Sequence, residues 1–576
     1  MLVGICSSNC ASASSDYSCG PSWSLASTDY DPCNSVPFLS PTNDTRVNLR
    51  LLIADSSKVD LPGITLSDFD RTFGYGLVPF PMEDLWTAND TAENSGDISV
   101  TLASGDGSRC RSNNADTAQA FIDQVGKTSG LSEAERNALT EGRQAFVSVC
   151  DSDVSASIDN LQSAQSKEFA LYLTGARAFY SGDFPTAQQA FAGLGNSSQA
   201  WLKETALYMM GRNALNAAQV RAFDEMGFPK LENADQGQLK LAEAGFKVYL
   251  QEYPQGLYAA SARGLMRRVY WLMSDQEHLA DAYGDAIARG TLTDNQAMSL
   301  AKEADNKLLT GVDPMKIKDP FLLAILDLMA MRQSDGKQQV NGSPPSKPFT
   351  ARLLRAQQPL FASHQELYAY LVAATHYYVE KDPAQTLATL PKFDNTKAIT
   401  TYLAFSEAML RGLTLEATGN RAEAQAFWTH LFPQTKQTLA RPTLELALAI
   451  NLQNAHKLDA VFEPNSLITG GEIRSFLVLK SAGPALLRQQ IKAASTTPVQ
   501  RDTALFVLLY KDLTRGHYGD FAGDLKLAPL NDQSAVIRDA AYVYFDRKAD
   551  LSIFAKSASA ENGADTNYAC PTLEKV

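Results

Sequence analysis

The sequence is short of positive charge. Its 51 Lys and Arg stand against 64 Asp and Glu, a net charge of −13, and no run of five basic residues occurs. Such a surface repels phosphate backbones on average, so nucleic acid is set aside as a partner. Long apolar runs are missing too. The strongest, FLLAILDLMAM (321–331), has about half the length that a bilayer requires and carries Asp327. It reads as a buried helix, and no integral membrane span is expected. Histidine is sparse. His278, His364, His376, His430, His456 and His517 fall into no metal-ligand spacing, so no metal is expected.

Catalytic signatures are also lacking. GKT (126–128) resembles the end of a P-loop, but the motif's first glycine would fall at Phe121 and no apolar strand precedes it. CGPSW (19–23) looks like a cysteine-protease nucleophile loop without its second cysteine, and no G-x-S-x-G occurs. Neither a catalytic residue nor a cofactor is expected, and the chain reads as a non-enzyme.

Cysteines are few but clustered. MLVGICSSNCASA (1–13) pairs a short apolar run with Ala11-Ser12-Ala13, the A-x-A pattern of a signal-peptidase site. It reads as the remnant of an export signal. Cys6 and Cys10 would leave with it. Cys19, Cys33, Cys110 and Cys150 then remain in a loop-rich region, with gaps of 14, 77 and 40 that do not suit zinc. In an oxidising compartment they read as two disulfides, with three pairings open. The abrupt end at CPTLEKV, with Cys570 unpaired, suggests that the natural chain continues.

Residues 14–116 are rich in Ser, Asp, Asn, Gly and Pro and read as an irregular region tied down by those disulfides. RVNLRLLIAD (46–55) suits either strand or helix, and DISVTLAS (97–104) alternates weakly, as strands do. From residue 117 onward the texture is helical. Ser132 and Glu135 have capping-box spacing, and apolar residues recur at three- and four-residue steps between short Gly, Pro, Asn and Asp breaks. SDGKQQVNGSPPSKP (334–348) cannot be helical and separates two helical stretches, 117–333 and 349–576.

Two stretches repeat. GARAFYSGDFPTAQQAFAGL (175–194) lies on GLTLEATGNRAEAQAFWTHL (412–431) without a gap. Gly175 meets Gly412, Gly182 meets Gly419, Ala187 meets Ala424, and Phe191 meets Trp428. The first glycine thins a helix for close approach. The second turns the chain where positive φ is needed. Asp183 and Asn420 then stand where short polar side chains cap the next helix. LAEAGFKVYLQEYPQGLYAASARGLM (241–266) keeps the Ala242–Phe246 spacing, and 508–527 is a weaker copy with Phe521 at the alanine place.

This spacing resembles the tetratricopeptide repeat, a helix–turn–helix unit of about 34 residues with small residues and an aromatic at set places. YPQGLYAASA is similar to the linker of periplasmic repeat proteins of the barrel-assembly lipoprotein type. The motif departs at Ala178 and Leu415, where an aromatic is usual. The resemblance implies an all-α, TPR-like α-solenoid of helical hairpins following the irregular N-terminal region. It implies a concave face carrying Tyr172, Phe179 and Tyr180 in one copy, and Met409, Glu416 and Ala417 in the other, with packing between adjacent repeats as the alternative role of the three rings. It also implies a non-catalytic scaffold for another protein or a peptide of the bacterial cell envelope, in the periplasm or at the outer membrane. SARGLMRR (261–268) resembles a fragment of the lytic transglycosylase signature, so the alternative is the recognition arm of a cell-wall-acting enzyme. Its upstream residues, KVYLQEYPQG, do not supply that family's catalytic Glu-Ser pair.

Overall fold

The structure is a computed structural model that describes residues 36–61, 109–150, 161–224, 227–309, 311–333 and 349–527. The signal remnant, Cys19, Cys33, the stretch 97–104, the break 334–348 and Cys570 lie outside the described residues. Among the described residues there are 21 α-helices and no strand, which agrees with the all-α expectation.

In chain order the helices are α1 (Thr45–Ser57), α2 (Ala115–Lys127), α3 (Glu133–Gln144), α4 (Ala164–Ser181), α5 (Phe184–Gly193), α6 (Ala200–Ala218) and α7 (Gln236–Glu252). Next come α8 (Ala259–Leu272), α9 (Gln276–Ala288), α10 (Asp294–Ala304), α11 (Pro320–Gln333), α12 (Ala351–Gln357), α13 (Gln365–Ala374) and α14 (Pro383–Thr389). The last are α15 (Tyr402–Ala417), α16 (Arg421–Leu431), α17 (Ala440–Asn454), α18 (Gly471–Lys480), α19 (Pro484–Lys492), α20 (Pro498–Thr514) and α21 (Tyr518–Asp524).

The chain divides into two compact units. The smaller takes in Thr87–Ala288 and Glu303–Leu322; the larger takes in Met1–Trp86, Arg289–Lys302 and Leu323–Val576. In the smaller unit each helix from α2 to α9 packs on the next, and the alternate helices α4, α6 and α8 also touch in turn. The Ser132–Glu135 capping box forms at α3. The Glu135 carboxylate then does a second job. It accepts the Gln162 and Ser163 N–H groups at 2.9 and 2.8 Å and the Ser166 hydroxyl at 2.8 Å, fixing the start of α4. These donors hold the carboxyl well below the ordinary range, the Ser163 N–H contributing most.

In the larger unit α13 to α18 pack in succession, α19 packs on α20, and α20 packs on α21. RVNLRLLIAD, open between strand and helix, folds as helix. Every residue of α1 from Thr45 to Ala54 is buried, polar ones included. The segment around it is held from within by two asparagines. Asn43 accepts from the Val36 N–H at 2.7 Å and donates to the carbonyls of Val36 and Phe38 at 3.0 and 2.7 Å. Asn48 accepts from the Ser40 N–H at 3.1 Å and donates to the Ser40 carbonyl at 2.7 Å. Part of the region expected to be irregular is thus an ordered element of the larger unit's core. The reason is local, because buried amides satisfy backbone groups that no ladder or helix would otherwise pair.

Candidate binding surface

The repeat-structural residues meet as the small-residue spacing requires. A Cβ on Gly175 would come within 2.9 Å of the Phe191 ring and 3.1 Å of the Ala190 methyl. A Cβ on Gly412 would overlap the Trp428 indole outright. Ala187, Phe191, Ala424 and Trp428 are all buried. Gly182 and Gly419 take φ values of 90° and 80°, a region that other residues rarely adopt. Asp183 and Asn420 cap α5 and α16 through the N–H groups of Thr186 and Glu423.

A third pairing of the same kind was not legible in the sequence. A Cβ on Gly211 of α6 would come within 2.9 Å of the Phe246 ring on α7. An ungapped comparison misses it, because residues 219–235 separate the two helices where the other pairs have a turn of two or three residues. YPQGLYAASA runs from α7 into α8, as its likeness to a linker implies. Its turn is fixed by Glu204, which accepts from the Tyr249 hydroxyl at 2.9 Å and the Leu257 N–H at 2.6 Å.

The residues expected on an open concave face are engaged by the chain itself. Tyr172 sits among rings, 5.5 Å from Phe121, 5.3 Å from Trp201 and 6.1 Å from Phe191. Phe179 is fully buried beneath the Arg212 guanidinium, 5.1 Å from its centroid. The Tyr180 hydroxyl donates to the Ser112 carbonyl at 3.1 Å, and the Arg109 Nε donates to the Tyr180 carbonyl at 3.3 Å. Arg212 Nη2 reaches the Ser112 hydroxyl at 3.0 Å. Residues 109–112 therefore lie against α4 and α6. A disulfide between Cys110 and Cys150 anchors them, one of the bonds left open among the four candidate cysteines.

The larger unit repeats this theme through side-chain contacts. Met409 is fully buried in a core cluster that includes Val36 and Phe38. The Leu39 N–H donates to the Ser406 hydroxyl at 2.8 Å, and the Tyr370 hydroxyl donates to the Leu39 carbonyl. The Phe38 ring meets Phe405 edge-on at 6.5 Å. Farther along, Asp55 accepts the Tyr402 and Leu403 N–H groups at the start of α15, at 2.6 and 2.8 Å. Asp60 accepts from the Tyr402 hydroxyl at 2.8 Å and the Thr438 hydroxyl at 2.7 Å. Glu416, the expected acidic groove residue, is also committed. It accepts from Trp428 Nε1 at 3.0 Å and Asn451 Nδ2 at 2.7 Å. Ala417 is exposed.

Segments that imitate catalytic motifs have structural partners. Gly126 and Lys127 end α2, and Thr128 caps it, its hydroxyl donating to the Gln124 carbonyl at 2.8 Å. In SARGLMRR, Leu265 is buried, Arg267 pairs with Glu303 at 3.0 Å, and the buried Arg268 donates to Gln219 at 2.8 Å.

One group of side chains was not anticipated. Asp512, His517 and Asp520, at the α20–α21 turn, each offer a ligand atom within 4.8 Å of the others, and no other such grouping occurs among the described residues. Asp524 stands beside them, gripped by Arg488 through Nε at 2.9 and 3.0 Å and Nη2 at 2.8 Å. Burial, then the hydrogen bond and charge of Asp524, push the Asp512 carboxyl up to about 7. The spacing D-x₄-H-x₂-D matches no metal-binding pattern, so nothing in the local sequence marks the group.

No protein-family model, curated protein or solved structure matches this chain. No helix among the described residues is long and apolar enough to cross a membrane.

Proposed function

We propose that this chain is a non-catalytic, exported scaffold that binds another protein or a peptide in the cell envelope, built from tetratricopeptide-like helical hairpins arranged as an α-solenoid. The observation that carries the reading is the way α13 and α15 hold residues 36–43. Tyr370 and Ser406 take both main-chain groups of Leu39, while Phe38 packs edge-on against Phe405. These helix faces hold the chain's own bent segment through backbone groups and one apolar anchor, and the same chemistry suits a short peptide of another protein. Three glycine–aromatic helix pairs support the repeat architecture, with Gly175, Gly211 and Gly412 each facing a ring. The Cys110–Cys150 disulfide supports an oxidising compartment.

The test uses the full chain in cells. A photo-cross-linking residue is placed at Leu241, Val248 or Leu257, apolar side chains that are 60%, 43% and 68% exposed. The adduct is identified, and the purified pair is then titrated by calorimetry. A 1:1 complex with Kd below roughly 10 μM supports the reading. Failure of every purified adduct partner to bind overturns it. Release of soluble fragments from peptidoglycan by the purified chain overturns its non-catalytic character.

A further inference from the structure

We infer that Asp512, His517 and Asp520 form a site for one divalent transition-metal ion of the zinc type. The chain brings them together through a tight reversal. α20 ends at Thr514, and Gly516 adopts a φ of 73°. The His517 N–H then returns to the Asp512 carbonyl at 2.8 Å. His517 and Asp520 are thereby placed over the buried Asp512, with a ring nitrogen and two carboxylate oxygens mutually within 4.8 Å. Zinc–nitrogen and zinc–oxygen bonds of about 2.0–2.2 Å place neighbouring ligand atoms roughly 3.4 Å apart. Small rotations of the exposed His517 and Asp520 side chains cover the difference.

Two further observations separate this group from an ordinary acidic turn. Asp512 is only 2% exposed; its carboxyl faces that of Asp524, and its Oδ2 accepts from no N–H or neutral hydroxyl donor among the described residues. A buried acceptor without a donor is costly, and a cation satisfies it. His517 also stands at the N-cap of α21, the place that Asp183 and Asn420 occupy in the corresponding turns. Those two cap their helices; His517 makes no such bond. Its ring nitrogen lies 3.7 Å from an Asp520 oxygen instead. Arg488 is held by Asp524 through Nε and Nη2 and pairs more loosely with Asp520, at 3.8 Å. Asp512 and Asp520 remain as the anionic ligands. One imidazole nitrogen with two carboxylate oxygens favours zinc or a similar ion over magnesium, with water completing the shell.

The experiment titrates ZnCl₂ into tag-free, thiol-alkylated, chelator-stripped full-length protein by calorimetry, with MgCl₂ as the second arm. The expected result is saturable binding of one Zn²⁺, weakened on the order of tenfold or more by His517→Ala and by Asp520→Asn, with Mg²⁺ weaker still. Both replaced side chains are exposed, so the variants keep their helical content even where Asp512→Asn fails to fold. Absence of saturable Zn²⁺ binding, an affinity that both surface variants leave unchanged, or Mg²⁺ binding as tightly as Zn²⁺ overturns the inference.

Discussion

The hairpins α4–α5 and α15–α16 share one backbone rule and differ in how their inner faces are covered. In both, a glycine lets an aromatic of the second helix lie against the first, and a positive-φ glycine turns the chain. The facing positions then diverge. Phe179 lies under Arg212 in one, and its counterpart Glu416 binds Trp428 and Asn451 in the other. The upstream segment against α4 is pinned by the Cys110–Cys150 bond, whereas the one against α15 is pinned by asparagine amides and Ser406. Small residues therefore set how the helices approach, while the side chains of the inner face follow whichever segment occupies it. That difference gives the two units separate vulnerabilities.

The largest expected effect is on the covalent tie. Replacing Cys110 and Cys150 by serine opens a loop with a sequence separation of 40. Chain entropy alone then predicts a loss of about 4 kcal/mol. Hydrogen exchange read peptide by peptide should show faster exchange in α2 to α6 and unchanged rates in α13 to α17. Equal acceleration in both units would remove the contrast. Next comes Asn43→Ala, which strips the Val36 and Phe38 backbone groups of buried partners. A loss of about 3 kcal/mol is expected, read in the same experiment as faster exchange confined to α1, α13 and α15.

These two segments also mark the limit of what the sequence conveys. The helical texture, the Ser132 capping box and the Gly175/Phe191 and Gly412/Trp428 pairs are written in local spacing, and each is found where expected. Tyr172, Phe179, Tyr180 and Met409 were legible as helix-face residues. Their coverings were not, because Val36 and Phe38 reach the Met409 cluster from more than 360 residues away. Ser112 likewise meets Tyr180 across 68 residues. No periodicity records such pairings. Gly211 was hidden for a simpler reason, since the long α6–α7 connection breaks the register that revealed the other two. Asp512, His517 and Asp520 were hidden because the turn at Gly516 converts an uninformative spacing into a cluster.

A pair of glycine variants sharpens the shared rule. The Trp428 ring is 1% exposed, and its Nε1 is bonded to Glu416, so it cannot tilt away from a new methyl without giving up that bond. Phe191 has no polar tether, and the clash at Gly175 is a marginal one. Overpacking of a fixed ring costs about 1–3 kcal/mol, and alanine returns about 1 kcal/mol of helix propensity. Gly412→Ala is therefore expected to cost roughly 2 kcal/mol more than Gly175→Ala by chemical denaturation. Adding Trp428→Phe to Gly412→Ala should recover more than half of that. Equal losses in the two hairpins would mean that the rings are equally free to move.

The smallest effect is one of pH, and it is carried by the larger unit. Asp327 of α11 is 2% exposed; its Oδ1 accepts from Gln357 at 3.1 Å and its Oδ2 has no partner among the described residues. Burial pushes its carboxyl up to about 7. A carboxyl raised on folding binds a proton that the unfolded chain has released, so stability falls as pH rises between the unfolded value, near 4, and the folded one. The loss between pH 6 and pH 7 should be roughly 1 kcal/mol. Asp327→Asn keeps the shape and an acceptor for Gln357 while removing the charge. It should flatten that slope and raise the denaturation midpoint at pH 8, with little change at pH 5. Glu135 has the opposite sign in the smaller unit, where its donors favour the charged form and support is lost on acidification. Between pH 5 and pH 8 the protection of α11 is thus expected to fall while that of α3, whose Glu135 carboxylate is ionised throughout that range, stays level, and an equal loss of protection in α3 would show that Asp327 does not govern the slope.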